Sequence, residues 1–282
     1  MKNSLFIILS LGLFLSSCRK EIKFEGDLAE PKLVINSVLT AGMEIVVNAS
    51  KSSPMTSNLP TIFLTDATIE MWRGNQYLGT LEHNENGNYL LDHVVTPGNY
   101  RIQASAPGLK SVSAETSVPE ATTFELGDIS YNSPPLNEDH SYYDRKVEII
   151  IHDPPEDNFY LLTYVFVNDS YLDYLTFYSI DPNIERNSND ELHDSGALIN
   201  DNGFNGQRYR LNAHVFAPQL QQESSGFLFE TINEDYARYI RSYRAGDNEG
   251  FFGEPVQYYT NVENGIGVFC GKNAQPVLIL PD

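Results

Sequence analysis

Turn dipeptides set the strongest constraint on how this chain can fold. Gly74-Asn75, Asn86-Gly87, Pro97-Gly98 and Pro107-Gly108 come in close succession, each separating short runs with strand-like composition. Glycine and asparagine tolerate the positive φ of tight hairpin turns, so a Gly-Asn pair between two such runs signals a hairpin. The runs are residues 67–73, 76–82, 88–93, 99–106 and 110–118. Ahead of them, 32–40 and 44–50 flank Ala41-Gly42, and 52–60 is a linker rich in Ser, Pro and Asn. This spacing predicts an immunoglobulin-like β-sandwich over residues 31–120, without a helix.

Residues 121–282 predict a second β-rich, sandwich-like domain. After a loop at Ser133-Pro134-Pro135, strands are expected at 146–151 and 158–168. They are joined by Asp153-Pro154-Pro155-Glu156-Asp157, whose prolines cannot donate ladder hydrogen bonds and so fix a strand end. The stretch 181–206 is a long polar excursion, and strands resume at 207–216 and 226–231. One helix is expected over 233–245, capped by Asn233, with Glu234 and Asp235 at the dipole's positive end and Arg241 and Arg244 at its negative end. Tyr236, Tyr239, Ile240 and Tyr243 would form one face, and Gly246 would stop the helix. Strands at 255–262, 265–271 and 276–280 would close the second sheet. The expected class is therefore mainly β: an immunoglobulin-like sandwich, then a second β-rich region with one α-helix.

The N-terminus carries an address. Lys2 precedes an apolar run over residues 5–15, about eleven residues, where a membrane-crossing helix needs roughly 20. That is the length of a secretory h-region. Leu15-Ser16-Ser17-Cys18 follows, with small side chains beside a scissile bond and a thiol able to take a diacylglyceryl group. Residues 1–17 read as a lipoprotein signal peptide, Cys18 as the lipidation site and 18–30 as a lipidated tether. Acyl chains contribute roughly 0.8 kcal/mol per buried methylene, so two or three of them hold a protein at a bilayer. Behind Cys18 come Arg19 and Lys20, then Glu21, Glu25, Asp27 and Glu30. This is either a solvated tether of mixed charge or an acidic export tag for the cell surface, and the surface face is favoured over the periplasmic one.

Charge and cysteines narrow the function. With 18 Lys+Arg against 38 Asp+Glu, the chain repels phosphate backbones, and nucleic acid is not an expected partner. Of two cysteines, Cys18 is consumed by lipid, so Cys270, in the apolar run Gly267-Val268-Phe269-Cys270, should be a buried, inert thiol.

No catalytic set emerges. Carboxylates are abundant, but no pair is singled out as a glycosidase would require. His83, His93, His140, His152, His193 and His214 show no metal-ligand spacing, and neither Gly-x-Ser-x-Gly nor a phosphate loop occurs. The loop Asn200-Asp201-Asn202-Gly203, with Asp190, Glu191 and Asp194, could lend oxygens to a structural calcium, although it departs from EF-hand spacing. No catalytic residue, metal site or cofactor is assigned. The contact candidates are aromatic. Tyr171, Tyr174, Phe177 and Tyr178 crowd one segment, and Gly250-Phe251-Phe252-Gly253 has the form of an exposed apolar tip. Such rings can grip a ligand or partner, or alternate into a core.

Several separated segments together resemble the outer-membrane lipoproteins grouped as domain of unknown function 4249. They begin with Cys18 to Thr40, including Glu21-Ile22 and Pro31-Lys32-Leu33-Val34, and Pro97-Gly98-Asn99-Tyr100. Asp153-Pro154-Pro155 with Asn158-Phe159-Tyr160 follows, then Phe204-Asn205-Gly206-Gln207 ahead of Tyr209 and Leu211. The set ends with Ile232 to Arg241, Pro255 and Asn261-Val262-Glu263-Asn264-Gly265-Ile266-Gly267. The resemblance implies a β-sandwich followed by a second β-rich region, and genes commonly adjacent to a TonB-dependent transporter. It implies an accessory role in nutrient uptake, without an agreed activity or catalytic residues. The expectation is a non-enzymatic outer-membrane lipoprotein that binds substrate or the transporter. The alternatives are a surface glycan or peptide hydrolase, and a structural or adhesive surface protein.

Overall fold

The computed structural model describes residues 30–54, 60–131, 145–168, 171–185, 192–193, 196–215, 224–247 and 257–280. Residues 1–29, which hold the expected signal peptide, Cys18 and most of the expected tether, lie outside them, as do Asp190, Glu191, Asp194, Phe251 and Phe252. The class is mainly β. The N-terminal half holds β1 (Leu33–Thr40), β2 (Glu44–Lys51), β3 (Ile62–Phe63), β4 (Thr68–Arg73) and β5 (Gln76–Thr80). It continues with β6 (Glu82–His83), β7 (Asn88–Val94), β8 (Gly98–Ser105) and β9 (Val112–Val118). Beyond it come β10 (Thr123–Tyr131), β11 (Arg145–His152), β12 (Phe159–Asn168), β13 (Tyr171–Leu175), β14 (Phe177–Tyr178) and β15 (Leu192–His193). The chain ends with β16 (Ala197–Asn200), β17 (Arg208–Val215), β18 (Ser224–Ile232), α1 (Glu234–Asp247), β19 (Ile266–Ala274) and β20 (Leu278–Ile279).

Three sheets build two sandwiches. The largest runs β13-β12-β18-β19-β1-β2-β7-β6, with β16 also on β12, β20 on β18 and β3 on β2. Its β1 end packs on the four-stranded sheet β5-β4-β8-β9, and its β12 end on the five-stranded sheet β10-β11-β17-β14-β15. Alternation selects the first core. Leu33, Ile35 and Leu39 of β1 and Ile45, Val47 and Ala49 of β2 point inward against Ile69, Met71, Ile102 and Ala114. Ser37 also points inward, its hydroxyl donating to the Val46 carbonyl at 2.7 Å. Tyr100 is buried with its phenol turned back on the backbone of Thr96, donating to the carbonyl at 2.8 Å and accepting from the amide at 3.0 Å.

The second core is more aromatic. Tyr160, Leu162 and Tyr164 of β12 and Phe227 and Phe229 of β18 face Phe124, Ile149, Leu211 and Phe177. Phe124 stacks on Phe229, and Tyr160 meets the edge of Phe124. The far face of β12 is buried as well, because Leu161, with Leu198 and Ile232, lies beneath Ala237 of α1. That double burial explains the near-continuous apolar run Phe159-Tyr160-Leu161-Leu162.

The structure differs from the sequence expectations at five places. β19 does not close the second sheet alone; it pairs in parallel with β1, Val34 opposite Ile266 through Thr40 opposite Lys272, and touches β18 only at its end. The boundary near residue 120 is therefore crossed by the tail, whose Phe269 belongs to the first core. β10 fills a stretch, ahead of the loop at residues 133–135, for which no strand was expected, and β16 lies within the expected polar excursion. Among residues 257–262 no strand forms. The Asn261 side chain instead accepts from the Phe269 amide (2.9 Å) and donates to its carbonyl (2.7 Å), taking a ladder position itself. Finally, α1 continues through Gly246 to Asp247; a Cβ at Gly246 would sit 3.0 Å from the Tyr258 hydroxyl, so close approach and not helix arrest uses this glycine.

Candidate functional site

Helix α1 is held at the joint of the two sandwiches by its cap. The Asn233 carboxamide oxygen accepts from the Tyr236 amide at 3.1 Å, capping the first turn, and from the Gly271 amide of β19 at 3.3 Å. Its amide nitrogen donates to Thr116 of β9 at 2.6 Å. Asp235 accepts from Thr116 and, at 2.6 Å, from the Tyr259 phenol, whose pKa burial pushes up to about 12. Beside this network the Lys272 ammonium meets the buried Glu230 carboxylate at 2.5 Å.

The underside of α1 is fixed by packing and charge. Ala237 is fully buried, with Tyr236 and Ile240 beside it over Leu161, Leu198 and Ile232. Arg241 is bound bidentately to Glu185 (2.5 and 2.7 Å) over the ring of Phe159, and buried Arg244 donates to the Gly196 carbonyl. Segment 257–260 straps the other flank, where the Tyr259 amide donates to the Ser242 hydroxyl at 2.9 Å.

Outward, α1 carries the exposed Glu234–Arg238 ion pair and, toward its C-terminal end, tyrosine. Tyr243 is 53% exposed and Tyr258 51%, their ring centroids 6.2 Å apart, and Tyr239 lies 6.5 Å from Tyr243. Tyr174 of β13, 67% exposed, lies opposite Val165, on the same face of β12 as Leu161 beneath α1. Burial, with smaller effects from neighbouring groups, raises the pKa of Tyr236 and Tyr239, so both keep their protons. The result is a belt of phenols on a rigid base, apolar in body and polar at the tips.

The aromatic candidates divide on this surface. Tyr174 joins the belt, and Tyr171 lies on the same strand. Phe177 and Tyr178 are corrected to core residues, 0% and 2% exposed, because β14 pairs with β17 inside the second sandwich. Phe251 and Phe252 fall outside the described residues. The helical spacing of Tyr236, Tyr239 and Tyr243 signalled a face, but it pointed inward at Ala237 and outward at Tyr243. Nothing local marked Tyr258, which reaches the belt through the strap. Cys270 is fully buried with its pKa pushed up to about 12 by burial.

The family-like motifs of the second half meet elsewhere, at one end of its sandwich. Buried Asp153 accepts from the Tyr160 phenol and, at 2.7 Å, from the Gly206 amide. Buried Asp201, in the loop considered for calcium, accepts from the Asn158 amide at 2.7 Å. Burial raises the pKa of both carboxyls. These groups tie the β11–β12 and β16–β17 loops together, and among the described residues no three acidic, His or Cys side chains are grouped to hold a metal.

Comparison with known proteins gives one family. The family described as "domain of unknown function (DUF4249)" matches residues 19–275. No curated protein matches in sequence. Among solved structures, a Salmonella alpha-2-macroglobulin mutant is similar over 74% of this chain and 14% of its own, at 13% identity and TM-score 0.28. Murine CEACAM1b is similar over 72% of this chain and 93% of its own, at 11% identity and TM-score 0.19.

Proposed function

We propose, from the premise that this chain belongs to the DUF4249 family, that it is a non-enzymatic outer-membrane lipoprotein serving a TonB-dependent nutrient transporter. Cys18 carries the lipid and the two sandwiches present the tyrosine belt to the transporter. The belt is the observation that carries this reading. Exposed tyrosines on a helix fixed by Asn233, Arg241 and Arg244 supply contact area at low ordering cost, and tyrosine is enriched at protein interfaces. The lipobox supplies the membrane, and the acidic surface suits an exterior face rich in divalent cations.

Gentle solubilisation of membranes tests the reading. The full chain should co-purify with a TonB-dependent transporter, and Tyr174→Ala combined with Tyr243→Ala should lose the partner while keeping the fold. Cys18→Ala should release the chain from membranes and abolish acyl labelling. Absence of any transporter, together with normal growth of a deletion strain on every nutrient tested, would overturn the proposal.

A further inference from the structure

A polar groove opens between the first sandwich and the N-terminal end of α1, away from the tyrosine belt. It encloses about 630 Å³, and its walls include Asn75, Asn99, Arg101, Glu115, Ser117 and Asp235. That volume falls within the ~300–1,000 Å³ of small-ligand sites. Arg101 and Glu115 of one wall end a row across the four-stranded sheet that continues beyond the groove through Trp72 and Tyr77, the four residues opposite one another on β8, β9, β4 and β5. The Arg101 guanidinium lies 4.4 Å over the Trp72 ring, and Tyr77, 48% exposed, flanks that ring at 5.3 Å. Stacking on the indole holds the guanidinium at the groove's edge before any ligand arrives, which lowers the cost of binding.

The groove's chemistry selects its ligand. Guanidinium supplies donors only, carboxylates supply acceptors, and carboxamides supply both. Among the described residues the side chains of Asn75, Asn99 and Glu115 have no hydrogen-bond partner in the protein. A hydroxyl donates and accepts at once, so a polyol can satisfy all of these groups. An anion is disfavoured, since Glu115 and Asp235 outnumber Arg101 in a chain of net charge −20. An apolar ligand would leave the amides and carboxylates desolvated and unpaired. We propose that this groove binds a neutral oligosaccharide, with Arg101 and Glu115 hydrogen-bonding its hydroxyls.

Trp72 is the chain's only tryptophan and stacks on Arg101 of the groove wall, so its emission reports on the groove through that guanidinium. The detergent-solubilised full chain, in a detergent without a sugar head-group, is titrated with maltoheptaose, cellohexaose, xylohexaose and chitohexaose. Inorganic phosphate and a lysine-rich peptide form the comparison arms. At least one oligosaccharide should shift Trp72 emission saturably. Glu115→Gln, which leaves the Trp72–Arg101 stack in place, should weaken that binding about tenfold, the usual scale for a lost hydrogen bond to a charged group. Arg101→Ala, followed by calorimetry because its own emission changes, should weaken it at least as much, and Arg208→Ala should leave it unchanged. No saturable response to any oligosaccharide, an unaltered affinity in both groove variants, or a response confined to phosphate or peptide overturns the proposal.

Discussion

The two sandwiches are built from similar strands but by different rules. In the first, sheet neighbours are mostly chain neighbours: β1 pairs β2, β4 pairs β5, β6 pairs β7 and β8 pairs β9. In the second, the long pairings are β12 with β18 and β11 with β17, each spanning dozens of residues. Local turns can specify the first kind of pairing. The second kind must be specified by the core, and its core is correspondingly denser in aromatic rings, with Phe124, Tyr160 and Phe229 in one cluster and Tyr164, Phe177 and Phe227 in another. Even the first sandwich is not self-contained, because β1 finds one of its two neighbours, β19, in the tail.

That dependence gives the largest expected effect. A chain ending at residue 262 lacks β19, leaving the edge of β1 open and removing Phe269 from the first core. The first sandwich should then lose its cooperative transition in circular dichroism and its resistance to limited proteolysis. A fragment of residues 30–120 that melts cooperatively alone would break the comparison. Phe269→Ala sharpens it with less damage. Emptying a fully buried phenylalanine site costs about 3–5 kcal/mol. Hydrogen exchange should accelerate in β1, β2 and β8, and not first in β11 or β17, although residue 269 is nearer those strands in sequence.

The same contrast explains what the sequence disclosed. Dipeptides such as Gly74-Asn75 and Asn86-Gly87 act locally through positive φ, observed at Gly74, Asn86 and Gly87, so the strands around them were legible to within a residue or two. β10 lacks such a bracket, and β16 is four residues inside a polar stretch, made a strand only by Phe159 to Leu162 alongside it. The parallel placement of β19 on β1 spans the whole chain and has no local signature. Within the site, the Asn233 cap was readable because it is local chemistry, whereas its second role toward Gly271 and Thr116 depends on tertiary approach. The row Tyr77–Trp72–Arg101–Glu115 was invisible for the same reason: it exists only in the register of four strands.

Asn233→Ala probes the joint itself. It removes the helix cap and the partners of the Gly271 amide and the Thr116 hydroxyl, so about 1–3 kcal/mol should be lost. If the joint couples the two sandwiches, the Gly271 amide should exchange markedly faster in the variant while amides within β11 and β17 stay protected. Uniform acceleration throughout the chain would instead mean that the cap serves global stability alone.

The smallest effect concerns pH and lies wholly in the second sandwich. Asp153 and Asp201 have raised pKa values, with burial the first cause, so the folded chain binds their protons more tightly than the unfolded chain does. The stability they contribute is therefore complete below the unfolded carboxyl value of ~3.9 and is lost as pH rises through their folded values. Glu125 works in the opposite sense, since its hydrogen bond to His152 lowers its pKa, and what it contributes is present at higher pH and lost on acidification. Asp153→Asn keeps an acceptor for the Gly206 amide and lets the Tyr160 hydroxyl rotate to accept, but it deletes the buried charge. Its melting temperature should consequently fall less between pH 4 and 7 than that of the unaltered chain. An equal or steeper fall would mean that the hydrogen bonds from Tyr160 and Gly206 outweigh burial at this carboxylate, and that the loop clasp of the second sandwich is held by its charged form.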